Sequence, residues 1–238
     1  TRRSSGLLIE EGPAPGVTPE ICDHVCETAA ELIRNAEYSG AATVEFLMNK
    51  EEDFFMLEVN TRVQVEHPVT EMITGIDLAK EQIEIARAKK LSFTQKVVTI
   101  NGHSLEIRVY AENPLTNFLP DIGNLYIYNI PKGDGIRVDD GFSQGMDIPV
   151  YYDPMLSKLI VHGKDRNEAI IKMTEAIDNY DIIGVETTLD YCKFVINHES
   201  FVSGNFDTHF IANYHNEYKE QLNNQTIDET AITSTYLL

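Results

Sequence analysis

Cations are scarce in this 238-residue chain, where 19 Lys and Arg stand against 38 Asp and Glu for a formal net charge of −19. That balance argues against a nucleic-acid partner, which would need a basic patch. An anionic substrate would have to be met by locally placed cations or by metal. Cysteine is scarce too: Cys22, Cys26 and Cys192 are too few and too poorly placed for a disulfide framework. A reducing, cytoplasmic setting is the expectation. Cys22 and Cys26 are four apart on an expected helix with His24 between them, and no second ligand pair appears, so buried small hydrophobes are expected rather than a zinc site. No apolar run approaches transmembrane length and no signal peptide is read, so no membrane partner is expected. There is also no P-loop, no dinucleotide fingerprint and no other glycine-rich phosphate loop.

What is present is a core-forming composition, 42% hydrophobic, enough for one large domain or two small ones. The most informative stretch runs from Glu58 to Pro68. If it is extended, Glu58, Asn60, Arg62, Gln64 and Glu66 share one face while Val59, Thr61, Val63 and Val65 share the other. A half-buried strand with a wet face would alternate in the same way; the chemical variety of this polar face is what sets it apart. Upstream, residues 42–48 and 54–58 read as two strands joined by the polar residues 49–53. A symmetric hairpin pairs position 45 with 58, 43 with 60 and 47 with 56, so Glu45 faces Glu58. Opposed carboxylates repel unless a cation lies between them. All-oxygen ligation suits Mg²⁺ or Mn²⁺ with room left for phosphate oxygens. A straight strand at ~3.3 Å per residue would carry Glu66 about 25 Å from Glu58, so the chain is expected to bend between Thr61 and Glu66. His67 falls on the valine side by parity, which favours a packing or orienting role.

Elsewhere, residues 1–17 read as loop, and Thr18 with Pro19 starts a helix whose stripe is Ile21, Val25, Ala29, Leu32, Ile33 and Ala36. That stripe is expected to pack on the hairpin. Residues 69–74 form a short helix ended by Gly75, and Asp77 caps another through Lys89 with Leu78, Gln82, Ile83 and Ala86 inward. From Lys96 the pattern predicts strands over 97–100, 104–111, 125–130, 135–139 and 158–162, an antiparallel-sheet subdomain. Arg108 shares a strand face with Glu106 and Tyr110, a placement that suits a salt-bridged surface residue as well as a functional one. Asp153 and Lys158 are read as structural, in a turn. Asp165 with Glu168 forms a capping box ahead of a stripe of Ala169, Ile170, Met173, Ile177 and Tyr180. A further helix covers 187–196, and residues 216–238 read as a polar, unstructured tail or linker.

The run Leu57 to Gly75, with Glu58-Val59-Asn60-Thr61-Arg62-Val63-Gln64-Val65-Glu66-His67-Pro68 at its centre, resembles the signature of biotin carboxylases in the ATP-grasp superfamily. Residues 101–112 and 151–159 look like the same family, and 207–211 resemble its closing segment. The resemblance implies an α+β fold: the C-terminal half of an ATP-grasp domain over 1–95, a biotin carboxylase C-terminal antiparallel-sheet domain over 96–215, then the tail. It implies a ligase that carboxylates biotin on a carrier domain with ATP and bicarbonate. In that reading Glu45, Glu58 and Asn60 hold the divalent ions, Arg62, Gln64 and the Val65 backbone N–H orient bicarbonate, and Glu66 is its base. Arg108 stabilises the enolate-like oxygen of biotin, and Leu47 and Thr208 contact the nucleotide. The implied partners are a carrier domain, a second copy and a carboxyltransferase subunit; residues 108–112 and 178–180 lean toward propionyl-CoA carboxylase alpha chains. The family lysine that helps hold bicarbonate has no counterpart in Arg2-Arg3-Ser4-Ser5-Gly6-Leu7, and the family's glycine-rich lid and Met-Lys-Met biotinylation site are missing. The chain by itself is therefore expected not to turn over. Two alternatives stand beside this reading: another ATP-grasp ligase of the carbamoyl-phosphate synthetase kind, which shares Glu-x-Asn-x-Arg but not the Gln64–Pro68 continuation, and a non-catalytic interaction module.

Overall fold

The computed structural model describes residues 7–236, with side chains described through residue 224. The divergent start, Arg2 to Gly6, lies outside the described residues. The chain forms two compact units: one takes in residues 10–106 and 160–169, and the other takes in residues up to Ile9, 107–159 and 170 onward. A four-stranded sheet has the order β1 (Ile9–Gly12), β4 (His103–Tyr110), β9 (Met155–Gly163), β8 (Ile136–Asp140), the intervening elements being given below. Ile9–Gly12 is thus a strand where the sequence predicted loop.

In the first unit, α1 (Pro19–Asn35) starts as predicted, with Thr18 Oγ1 accepting from the Ile21 N–H at 3.4 Å. Ile21, Val25, Ala29 and Ile33 are half-buried, but no residue of α1 is fully buried, and Leu32 and Ala36 are exposed. Cys22 and Cys26 are exposed as well, which corrects their assignment to the core. The helix meets the hairpin of β2 (Thr43–Met48) and β3 (Phe54–Asn60) through an edge-to-face contact between His24 and Phe54, centroids 5.1 Å apart. Next comes α2 (His67–Thr74), closed by Gly75 at φ 71°, a left-handed position that suits a residue without Cβ.

Asp77 caps α3 (Leu78–Ala86) through a 2.8 Å bond from the Lys80 N–H. This helix stops short of Lys89 because Ala88 turns to φ 58° and Lys89 N–H bonds back to the Glu84 carbonyl at 3.0 Å. Its inner face is also shifted: Leu78, Glu81, Gln82 and Ile85 point inward while Ile83 and Ala86 are exposed. Glu81 goes in because its carboxylate accepts from Ser92 Oγ at 2.5 Å and from Ser92 N–H at 3.1 Å. The strand expected over 97–100 is absent. Val97 N–H and Val98 N–H instead bond the Thr94 and Gln95 carbonyls, a 3-10 turn in place of a ladder.

β4 corrects a wet-face expectation: every residue from His103 to Tyr110 is buried, so alternation here separates two packed faces. Short pairs follow: β5 (Glu112–Asn113) with β6 (Leu119–Pro120), and β7 (Ile127–Asn129) with β10 (Asp181–Ile183). Between β9 and β10 lies α4 (Arg166–Asp178), whose box is made by Glu168 N–H donating to Asp165 Oδ1 at 2.9 Å, and Ala169, Ile170, Met173, Ile177 and Tyr180 are all buried as predicted. Lys158 sits on β9 rather than in a turn and pairs with Asp139 at 3.4 Å.

Within the second unit, Ile107, Val109, Leu156, Leu159, Met173, Tyr191 and Ile196 are at most 1% exposed, each contributing about 1.5–3 kcal/mol of burial. Tyr191 and Ile196 come from α5 (Leu189–Asn197), which a short α6 (Glu199–Val202) follows. The final element, α7 (Phe210–Tyr236), overturns the unstructured tail: the backbone from Asn216 to Tyr236 continues one helix, because polar composition without Pro or Gly is compatible with a helix that starts from a packed first turn at Phe210. The same unit holds a buried hydroxyl chain, with Tyr180 Oη 2.7 Å from Ser157 Oγ and donating to Tyr128 Oη at 2.8 Å. Burial pushes the Tyr180 hydroxyl far above its usual range, so it stays a neutral link. Tyr180→Phe should cost about 1–3 kcal/mol by urea unfolding, since Ser157 and Tyr128 would keep buried hydroxyls without that partner.

Candidate functional site

The hairpin register puts Glu45 opposite Glu58 and Thr43 opposite Asn60, as the sequence predicts. Beyond that point the prediction fails. A bulge lies between Glu45 and Phe46, so Leu47 faces Phe55 rather than Met56, and Leu57 is the extra residue on β3. Bulges re-aim side chains, and here the turn-ward apolar end is left open, with Leu47, Phe55, Met56 and Leu57 each about half exposed.

β3 ends at Asn60, and the chain bends at Arg62 and turns at Val65–Glu66 before α2. The polar residues therefore do not line a straight face but fold back on one another. Asn60 Nδ2 donates to Glu45 Oε1 at 2.9 Å and to Glu58 Oε1 at 2.8 Å, and Gln64 Nε2 reaches the same Glu45 oxygen at 2.8 Å. The Arg62 guanidinium donates to Gln64 Oε1 at 2.7 Å and to Asn60 Oδ1 at 3.3 Å. Five of the predicted residues thus form one continuous network. The bend is held from outside by Tyr38, whose Oη is 3.1 Å from the Thr61 carbonyl and 3.2 Å from the Ala41 carbonyl. Gly40 allows this ring position: a Cβ there would lie 2.8 Å from the Tyr38 oxygen, and its φ is 143°. Sequence reasoning misses Tyr38; a lone tyrosine ahead of Ser39-Gly40 is its only trace.

Glu66 is the N-cap residue of α2, and its carbonyl accepts from Val69 N–H at 3.1 Å. His67 Nδ1 lies 2.7 Å from the Gln64 carbonyl. A carbonyl can only accept, so Nδ1 carries the proton and the imidazole props the bend, in line with an orienting role. Arg62, Gln64, Glu66 and His67 line a cleft of about 380 Å³ together with Thr43 and Thr70.

The donor set fits a hard divalent ion. The Asn60 amide lies within hydrogen-bonding distance of both opposed carboxylates, and it could turn its oxygen toward them, since amide N and O are assigned from their partners. Among the described residues no group of three or more His, Cys, Asp or Glu side chains could hold a metal. Two carboxylates plus an amide leave coordination positions for a ligand's own oxygens.

Arg108 and Thr208 belong to the other unit. Arg108 is 9% exposed, which excludes the surface salt-bridge reading. Its backbone is fixed on both sides: its N–H donates to the Leu8 carbonyl at 2.9 Å, and its carbonyl accepts from Thr188 Oγ1 at 3.2 Å. Thr208 lines an apolar cavity of about 370 Å³ with Leu8, Val195, Phe206, Phe210 and Ile211. His209, beside it, is an exposed rim residue 3.4 Å from Asp207.

A further charged cluster goes unread in the sequence. Glu11 Oε2 is 2.8 Å from His103 Nε2 and 2.7 Å from Arg166 Nε, and Arg166 Nη2 bonds Glu11 Oε1 at 3.0 Å. All three side chains are largely buried. Although burial works the other way, the bonds from His103 and Arg166 hold the Glu11 carboxyl below the usual range. Positions 11, 103 and 166 are far apart in the chain, so only the fold brings them together.

Residues 1–94 match the family described as carbamoyl-phosphate synthase L chain, ATP binding domain, and residues 106–213 match the biotin carboxylase C-terminal domain. The chain is 48% identical over 213 residues to a pyruvate carboxylase subunit of Methanothermobacter thermautotrophicus, covering 90% of this chain and 43% of that protein. It is 45% identical to the human mitochondrial propionyl-CoA carboxylase alpha chain, covering 89% of this chain and 29% of that one. The biotin carboxylase domain of Hydrogenobacter thermophilus 2-oxoglutarate carboxylase, solved as a dimer with MgADP, ADP and bicarbonate, superposes with a TM-score of 0.85 at 37% identity, covering 87% of this chain and 46% of that one. The chain spans less than half the length of these relatives. No helix among the described residues is long and apolar enough to cross a membrane. With residues 1–94 matching an ATP-binding domain and residues 106–213 the biotin carboxylase C-terminal domain, and with that fold shared at 37% identity, the chain belongs to the biotin carboxylases of the ATP-grasp superfamily.

Proposed function

We propose that this chain supplies the metal and bicarbonate part of an ATP-dependent ligase that carboxylates biotin on a carrier domain, within an acyl-CoA or pyruvate carboxylase. The observation that carries the reading is the unbroken chain of hydrogen bonds from Arg62 through Gln64, Glu45 and Asn60 to Glu58. It ties an anion-holding fork to a cation-holding carboxylate pair at fixed separation. Glu45, Glu58 and Asn60 would hold Mg²⁺ or Mn²⁺, which neutralises charge on the ATP phosphates. The Arg62 fork would orient bicarbonate, with Gln64 and the Val65 backbone N–H completing its seat. Glu66 would take the bicarbonate proton; the freed oxygen then bonds the γ-phosphorus as the bond from that phosphorus to ADP breaks. Leu47 and Thr208 are assigned to the nucleotide, and Arg108, a buried cation on a rigid strand, to the ureido end of biotin. Residues 1–95 are the ATP-grasp portion in this reading and 96–215 the biotin carboxylase C-terminal domain. A carboxyltransferase and a second copy complete the assembly, which works in a reducing, cytoplasmic compartment. The related structure that holds MgADP and bicarbonate supports the ligand assignment.

The carbamoyl-phosphate synthetase reading has one observation of its own, the family description matched by residues 1–94. ATP hydrolysis that depends on biotin separates the two. The metal assignment has a direct test on this chain: Mn²⁺ binding followed by electron paramagnetic resonance should be weakened at least about 10-fold in Glu58→Gln, the scale expected for losing a ligating group. Unchanged binding would contradict the assignment.

A further inference from the structure

Cys22 and Cys26 stand four residues apart on α1, and both are free and exposed. Residues at that spacing lie one above the other on the same helix face, with Cβ atoms about 5–6 Å apart. That is too far for an unstrained disulfide, which needs Cβ atoms roughly 3.5–4.5 Å apart. It suits one soft atom seated between two thiolates. Zinc would want four ligands, and no cluster among the described residues supplies a third. A centre content with two protein sulfurs is what remains.

We propose that the Cys22–Cys26 pair is a dithiol site for trivalent arsenic, which would bridge the two sulfurs and staple one turn of α1. The chemistry is ligand exchange without change of oxidation state. With phenylarsine oxide, two As–S bonds form, two S–H bonds break, and both protons leave with the arsenic-bound oxygen as water. Arsenic stays trivalent and no oxidant is consumed. The neighbouring His24 does not compete, because it lies off this face and its ring packs on Phe54. Cys192 cannot imitate the site: it is a single thiol at 0% exposure.

The test is titration of the full chain with phenylarsine oxide, read by intact-protein mass spectrometry. One phenylarsenic group per chain is expected, resisting excess monothiol and released by a dithiol. Cys22→Ser and Cys26→Ser should each weaken capture about 100-fold or more, the order lost when two-point attachment becomes one-point. Both side chains are exposed, so circular dichroism should show an unchanged helix content. The proposal is overturned if the tight adduct survives in the C22S/C26S double variant, or if either single variant captures the reagent as well as the parent.

Discussion

Glu66→Gln in the intact carboxylase should lower bicarbonate-dependent ATP turnover about 10²–10⁴-fold, the range set by removing a positioned general base. Gln keeps the size of Glu66 and leaves its carbonyl free to receive the Val69 N–H, so α2 should start where it does now. The loss should appear in kcat more than in the KM for ATP, because the bonds that join Glu45, Glu58 and Asn60 are made among those three side chains. Arg62→Ala should behave differently: it removes the donor to both Gln64 and Asn60, so it should raise the KM for bicarbonate and loosen metal binding together. If Glu66→Gln keeps turnover within a few-fold of the parent, the proton acceptor is another group and the bicarbonate seat is misassigned.

The second large effect concerns stability. Arg166→Met should destabilise the fold by about 3–5 kcal/mol, because it leaves Glu11 buried with only His103 for compensation. The same cluster sets a pH dependence. Glu11 has its folded pKa below the ordinary 4.5, so its contribution to stability is present above that value and is lost as pH falls through the lower, folded value. In thermal melts taken from pH 6 downward, the parent should lose stability below about pH 4.5 and the Arg166→Met chain should start lower and fall less steeply. Parallel curves for the two chains would show that the cluster contributes no pH-dependent term.

The pairing at the base of the hairpin was legible because strand parity is a local rule. Once two strands are joined by a polar turn, opposite positions follow, and Glu45 against Glu58 needed nothing further. The bend was legible from length alone. What escaped was whatever depends on distant partners. The bulge at Leu57 has no glycine or proline to announce it. Glu81 reads as a solvent charge until Ser92 comes back to bind it. Cys22 and Cys26 belong inside by residue type, yet α1 buries no residue. Arg108 alternates like a surface strand, but both of its faces are packed. The last helix was lost for the opposite reason: a weakly patterned polar segment carries little information about whether it is ordered.

The extra residue at position 57 divides the hairpin into two segments that answer to different demands. Toward Asn60 the pairing is flush, so the acidic pair is held by ladder bonds and by the amide between them. Toward the turn the register has already slipped once, so changes in the length or composition of residues 49–53 need not propagate to the acids. The hairpin therefore works as a mechanical decoupler, with a tip able to accept an engineered insertion while its base keeps its geometry.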